Sequence, residues 1–93
     1  MTGAEIRRIR EALGLDHYVF AKFLCVHASS VFRWEMQAWP VLNGYTPEIL
    51  AKLAAVKPTK KLGDLLRKAV LAHGALAGMH VLALTFQSSL GSG

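Results

Sequence analysis

The side chains with recognisable chemistry lie mostly between residues 16 and 35, DHYVFAKFLCVHASSVFRWE, and their types suit binding rather than bond breaking. The guanidinium of Arg33 can pair with two acceptors at once, and the Ser29 hydroxyl can donate a hydrogen bond to a base or a phosphate. No Ser/His/Asp or Cys/His arrangement, glycine-rich phosphate loop or paired carboxylate set stands out in the sequence. We therefore expect a protein that recognises a partner and is not an enzyme.

The same stretch has the pattern of two short helices joined by a tight turn. Asp16 is a credible N-cap for a helix that runs to about Leu24, a turn follows at 25–27, and a second helix covers Ala28–Met36. The small side chain of Ala21 suits a close helix crossing. Apolar side chains recur at the spacing of a shared core, namely Leu24, Val26, Val31 and Trp34. The pattern predicts a helix-turn-helix, a motif whose second helix enters the DNA major groove.

Helix signals flank this motif on both sides. Thr2 and Glu5 have the spacing of a capping box, and Gly14 is placed to end the first helix in a left-handed conformation. Thr46 followed by Pro47 predicts the N-cap and the first residue of a fourth helix. The expected buried face of this helix comprises Ile49, Leu50, Leu53 and Ala54.

A further helix is expected from about Thr59. Its expected apolar side comprises Leu62, Leu65, Leu66, Ala69 and Val70. The run Val81–Phe86 fits a helix and a strand equally, because short apolar runs are ambiguous. The sequence thus predicts an all-α fold, a compact bundle of four to five helices with an apolar C-terminal helix that could end in a short strand. We divide it into a helix-turn-helix domain at 1–56 and a segment at 57–93, a basic linker with an apolar dimerisation region.

Residues 16–35 and the helices on either side resemble the Cro/phage-repressor type of DNA-binding domain, the XRE-like family. The resemblance implies a sequence-specific transcriptional regulator, expected to be a dimeric repressor, that binds double-stranded DNA. It places Ala28, Ser29, Phe32 and Arg33 at base edges, and His17, His27 and Ser30 at phosphates. It also implies that Trp34 anchors the recognition helix in the core and that Arg10 and Glu35 form an ion pair.

Some of these positions have ordinary structural interpretations as well. Arg33 could be a surface arginine paired with a glutamate, Phe32 could be partly packed, and His17 could be a plain exposed histidine. Cys25 stands where the family usually has glycine, so the turn must be strained or take another conformation. Ala28 replaces the usual Gln or Arg, which leaves few base-reading donors and leaves room for recognition by shape or through partners.

The charge of the chain suits a polyanionic partner. The 93 residues carry a formal net charge of +5, and the excess lies at residues 57–68. This segment holds Lys57, Lys60, Lys61, Arg67 and Lys68 against Asp64 alone. The excess could reach flanking phosphates, or it could keep an apolar protein soluble.

The single cysteine, Cys25, excludes an intrachain disulfide, and we expect its thiol to be buried. No signal peptide is recognised at the start, so a cytoplasmic protein is expected. The resemblance implies a nucleoid-associated protein encoded by a bacterium or a phage.

The last third of the chain is unusually apolar, with no Lys, Arg, Asp or Glu after Lys68. Because a chain of this size cannot surround such a helix, we expect a homodimer through residues 62–86. A membrane span is an alternative, since Gly74 and Gly78 form a GxxxG match in an uncharged stretch. His73 and His80, seven apart, would share one helical face. Two histidines alone make a weak metal site, so no cofactor is expected.

Two function classes follow from these observations. The first is the DNA-binding regulator. The second is an antitoxin-like or oligomerising protein–protein interaction module that retains the helix-turn-helix shape. DNA binding that weakens steeply with salt and depends on Arg33 separates the first class from the second.

Overall fold

A computed structural model of the chain describes residues 1–91, and six α-helices account for most of them. The helices are α1 Gly3–Leu13, α2 His17–Leu24, α3 Ala28–Glu35, α4 Thr46–Ala55, α5 Lys60–His73 and α6 Ala75–Gly91. The prediction of an all-α fold is confirmed, and Val81–Phe86 is helical. The helix count is six instead of four to five, because Gly74 adopts a positive φ of 93° and separates α5 from α6.

Local capping chemistry sets most of the helix starts. The Thr2 hydroxyl accepts from the Glu5 N–H, and the Glu5 carboxylate accepts from the Thr2 N–H, which completes the expected capping box. The Thr2 N–H and the Thr2 hydroxyl both donate to the Glu5 carboxylate, and these two hydrogen bonds hold the pKa of Glu5 below its ordinary value. Asp16 caps α2 by accepting from the Val19 N–H at 2.8 Å. Gly14 ends α1 in the expected left-handed conformation.

The start of α4 differs from the prediction. Thr46 is the first helical residue and Tyr45 occupies the N-cap position, with no side-chain cap from any described residue. Thr46 is buried with Ile49, Leu50 and Leu53, so its side chain belongs to the packed face of the helix. Ala54, expected on that face, is exposed.

A single hydrophobic core draws side chains from all six helices. From α5 and α6 it takes Leu62, Leu66, Val70 and Leu82. Other large members that are fully buried are Ile6, Leu13, Phe20, Phe23, Val31, Leu50 and Leu53. The boundary that we drew near residue 57 is therefore not a boundary of the core. Leu65 is exposed and Ala69 half-buried, so the buried side of α5 is narrower than expected.

Two glycines allow α5 and α6 to approach the rest of the bundle closely. A β-carbon on Gly63 would overlap the backbone carbonyl of Leu13 at the end of α1. A β-carbon on Gly78 would lie 2.6 Å from the Val70 side chain and 2.7 Å from that of Phe23. The second glycine of the GxxxG match thus serves packing within the chain. No helix in the described part of the chain is long and apolar enough to cross a membrane.

Gly63→Ala should destabilise the protein, although the same change in an exposed helix interior stabilises by about 1 kcal/mol. The added methyl has no room against the Leu13 carbonyl, and such overpacking costs about 1–3 kcal/mol. Urea unfolding followed by circular dichroism measures the difference. Lys68→Ala, on the exposed side of the same helix, is the control and should change stability by less than about 0.5 kcal/mol. An unfolding midpoint for Gly63→Ala at or above that of the parent would contradict the close approach.

Candidate nucleic-acid interface

The helices α2 and α3 and the residues between them form the geometry that the sequence pattern predicts. The turn comprises residues 25–27, and α3 ends at Glu35 with Met36 as its C-cap. The apolar contacts that join the two helices come from Ala21, Leu24, Val31 and Trp34, which are buried, and from Val26, which packs against the core. This packing fixes the direction in which α3 presents its outer face.

The turn keeps a left-handed conformation without glycine. Cys25 has φ 59° and ψ 41°, and its N–H donates to the Lys22 carbonyl at 3.2 Å. Of the two outcomes expected for this position, strain is the one that occurs, because a β-carbon disfavours left-handed backbone. The expectation of a buried thiol is wrong. Cys25 is exposed, since Val26 occupies the core side of the turn.

The outer face of α3 carries Ser29, Phe32 and Arg33, all exposed, while Val31 and Trp34 face the core. Among the residues that the structure describes, no carboxylate forms an ion pair with Arg33. The guanidinium is therefore available on the same face as a hydroxyl and an aromatic ring.

The N-terminus of α3 carries the remaining residues assigned to this surface. His27 occupies the N-cap position and is exposed, with no side-chain cap from a described residue. The Ser30 N–H donates to the His27 carbonyl at 2.9 Å. Ala28 and Ser30 are half-buried. No side chain in the part of the chain described caps the N-terminus of α3, and a helix N-terminus of this kind attracts anions.

A buried ion pair holds α3 against α1. Arg10 Nε lies 2.7 Å from Glu35 Oε2, and Arg10 Nη2 lies 3.1 Å from Oε1, so the contact is bidentate. The Arg10 and Glu35 side chains are only 11% and 6% exposed. Arg10 Nη1 also donates to the Leu15 carbonyl at 3.0 Å, which ties in the connection between α1 and α2. This is the pair that the resemblance implied.

His17 has contacts that sequence reasoning missed. Its Nε2 lies 3.3 Å from Glu35 Oε1, and its ring is stacked on Phe32 with centroids 3.7 Å apart and planes 14° apart. The histidine that the resemblance placed at a phosphate therefore contacts Glu35 and Phe32 of α3. Phe32 is packed on one side and half exposed. No sequence spacing signals this contact, because it depends on how α2 and α3 cross.

Two further surfaces carry exposed apolar side chains. On the loop between α3 and α4, Met36, Trp39, Val41 and Tyr45 are all more than 70% exposed. On α5 and α6 the largest exposed side chains are Leu65, Leu71, Leu76 and Leu84. The loop surface was also missed, because its spacing follows no helical or strand period.

His73 and His80 were expected on one face of a single helix, but they lie on different helices. His73 ends α5 and His80 lies within α6, because the chain breaks at Gly74, and both are exposed beside Leu76 and Leu84. Within the described residues no three or more His, Cys, Asp or Glu side chains cluster in a way that could hold a metal ion.

Comparisons of this chain with models of known protein families, with curated proteins and with solved structures find no match.

The Arg10–Glu35 pair should be strongly coupled, and a double-mutant cycle measures the coupling. Glu35→Leu leaves the Arg10 guanidinium buried without its carboxylate and should cost about 3–5 kcal/mol of unfolding free energy. Arg10→Met with Glu35→Leu removes both charges and should be less destabilising than Glu35→Leu alone. Arg7→Met with Glu11→Leu is the matched control, since that pair is more than half exposed and should couple by less than about 1 kcal/mol. Additive effects at Arg10 and Glu35 would refute the coupling.

Proposed function

We propose that this protein is a dimeric, sequence-specific DNA-binding transcriptional regulator, acting as a repressor in the cytoplasm of a bacterial cell, that reads the major groove with α3. The observation that carries the proposal is the outer face of α3, where Ser29, Phe32 and Arg33 project from a helix held by a buried core and a buried ion pair. A reading surface must be rigid before binding, because ordering it at the interface weakens affinity. The resemblance to the Cro/phage-repressor type supports the same function.

Each residue of the surface has a role in this proposal. Arg33 donates two of its guanidinium N–H groups to guanine O6 and N7, and Ser29 donates to a base or a phosphate. His27, Ser30 and the first N–H groups of α3 meet the phosphate backbone, while Ala28 lies against a base without donating.

The basic segment adds phosphate contacts beside the motif. The aliphatic stem of Lys60 lies 3.5 Å from the position that a β-carbon on Gly14 would occupy, so it borders the connection into α2. Lys57, Lys61 and Lys68 are also exposed. Exposed lysines beside a helix-turn-helix suit flanking phosphates, and they raise the salt dependence of binding.

The proposed dimer uses the apolar face of residues 62–86. Part of this segment completes the core, but Leu65, Leu71, Leu76 and Leu84 stay exposed. Among the residues described, the surface around Leu76 and Leu84 carries no Lys, Arg, Asp or Glu, so the same surface on a second copy covers it without burying a charge from those residues. A two-fold dimer then places two copies of α3 one DNA turn apart.

The exposed loop between α3 and α4 favours a second candidate function. Residues 36–45 contain no charged side chain but expose Met36, Trp39, Val41 and Tyr45. An exposed apolar surface of this kind is typical of protein–protein contact. An antitoxin-like or oligomerising module that keeps the helix-turn-helix shape would use it.

Selection from a randomised duplex pool at two salt concentrations tests DNA reading. We expect enrichment of a two-fold symmetric site, weaker binding at higher salt, and a loss of about 1–3 kcal/mol per contact in Arg33→Ala. Arg8→Ala, an exposed arginine on α1, should bind the selected site as the parent does. An absence of binding at low salt would rule out the regulator and favour the interaction module.

Leu76→Glu should convert the dimer to a monomer, because it places a charge in the proposed apolar contact. Sedimentation equilibrium measures the mass of the parent and the variant, and circular dichroism checks that helix content is unchanged. Val41→Glu changes an equally exposed apolar residue on the α3–α4 loop and should remain dimeric. A parent that is monomeric at the concentrations at which it binds DNA would contradict this assignment.

A further inference from the structure

We propose that the stacked rings of His17 and Phe32 form a reading element for the C5-methyl group of a pyrimidine in the major groove. Phe32 is the residue that touches the methyl group, and His17 is a positioning residue that holds the phenyl ring. The proposal rests on the proposed DNA-binding function and names the chemical group that this part of its surface recognises.

The geometry of the stack makes Phe32 unusual among exposed aromatic residues. The two rings lie nearly parallel, with centroids 3.7 Å apart and an interplanar angle of 14°. One face of the phenyl ring is covered by the imidazole, and the side chain as a whole remains 50% exposed. A solvated phenylalanine on a helix surface samples several rotamers, which must be ordered on binding. The phenyl ring of Phe32 is instead held by the stacked imidazole before DNA binds.

The imidazole that covers Phe32 is itself fixed. His17 is the first residue of α2, directly after the Asp16 cap, and its Nε2 lies 3.3 Å from Glu35 Oε1. That carboxylate is held by the bidentate contact with Arg10, so the stack is connected to α1 through buried groups. The phenyl ring consequently has a defined position relative to Arg33, which follows it on the outer face of α3.

The chemistry of the uncovered phenyl surface selects the ligand. It carries no donor, acceptor or charge, and the apolar group that the major groove offers at a base edge is the C5-methyl of thymine. A cytosine methylated at C5 presents the same group at the same ring position. Ala28, one turn before Phe32 on α3, has no polar side chain. Because this helix offers few hydrogen-bond donors to the bases, apolar contacts contribute more to base discrimination.

The experiment uses the site selected for the parent protein and replaces its thymines by uracil one position at a time. Uracil differs from thymine only by the missing methyl group, and loss of one buried methyl weakens binding about fourfold. We expect this loss at one position in each half-site and no effect at the others. In a parallel arm each cytosine is replaced by 5-methylcytosine, and tighter binding there would assign the contact to a methylated cytosine.

Three variants distinguish the role of Phe32, which contacts the methyl group, from that of His17, which positions Phe32. Phe32→Ala should bind thymine and uracil versions of the site equally. His17→Phe keeps a ring to stack on Phe32 but loses the contact with Glu35, and it should retain part of the fourfold discrimination. His17→Gln keeps a polar group for Glu35 but loses the stack, and its discrimination should fall towards one. Urea unfolding of each variant checks that the fold is intact, and the ratio of the two affinities is independent of the fraction folded.

The outcomes distinguish this inference from the proposed function. Binding of a selected site with no methyl dependence at any pyrimidine overturns the methyl contact and leaves the DNA-binding function standing. Full discrimination by His17→Gln overturns the positioning role of His17. An absence of any DNA binding removes the proposed function and the inference together.

Discussion

The orientation of α3 and of its exposed face depends on one carboxylate. Glu35 is almost fully buried near the end of α3, and it receives Arg10 from α1 and His17 from α2, so three helices meet at its two oxygens. A buried charge is tolerated only when it is paired. If one helix shifted without the others, a charged group would stay buried without its partner. The contact that Arg10 makes with the Leu15 carbonyl extends the same constraint to the α1–α2 connection. The contacts of Glu35 with Arg10 and His17 thus help to determine which side chains of α3 point outward.

The second constraint is size. A chain of 93 residues has little interior, and here the core is completed by residues that looked from composition like a separate segment. Leu62, Leu66 and Val70 fill space against the first helices because Gly63 lets α5 approach the end of α1. The leucines that do not reach this core are the ones left on the surface of α5 and α6. One apolar segment therefore supplies part of the interior and also leaves leucine side chains on the surface.

Local chemistry explains what could be predicted from the sequence. The caps at Thr2, Asp16 and Gly14 depend on neighbours within a few residues, so the helix boundaries near them were correct. The Arg10–Glu35 pair came from the resemblance and not from spacing. What could not be predicted depends on tertiary approach, as with the ring stack of His17 on Phe32 and the crossing at Gly63. Threonine is a common N-cap residue, yet Thr46 is the first residue of α4, where it is buried. The helix boundaries were therefore more predictable than the contacts that hold one helix against another.

The shared core also has a consequence for synthesis. When a ribosome has made residues 1–56, the whole helix-turn-helix has been translated, but Leu62, Leu66, Val70 and Leu82 have not yet joined the apolar side chains that they cover. Phe23, whose ring lies beside Gly78 of α6, must stay partly in water until α6 emerges. The motif consequently acquires its final shape only after α5 and α6 have been translated.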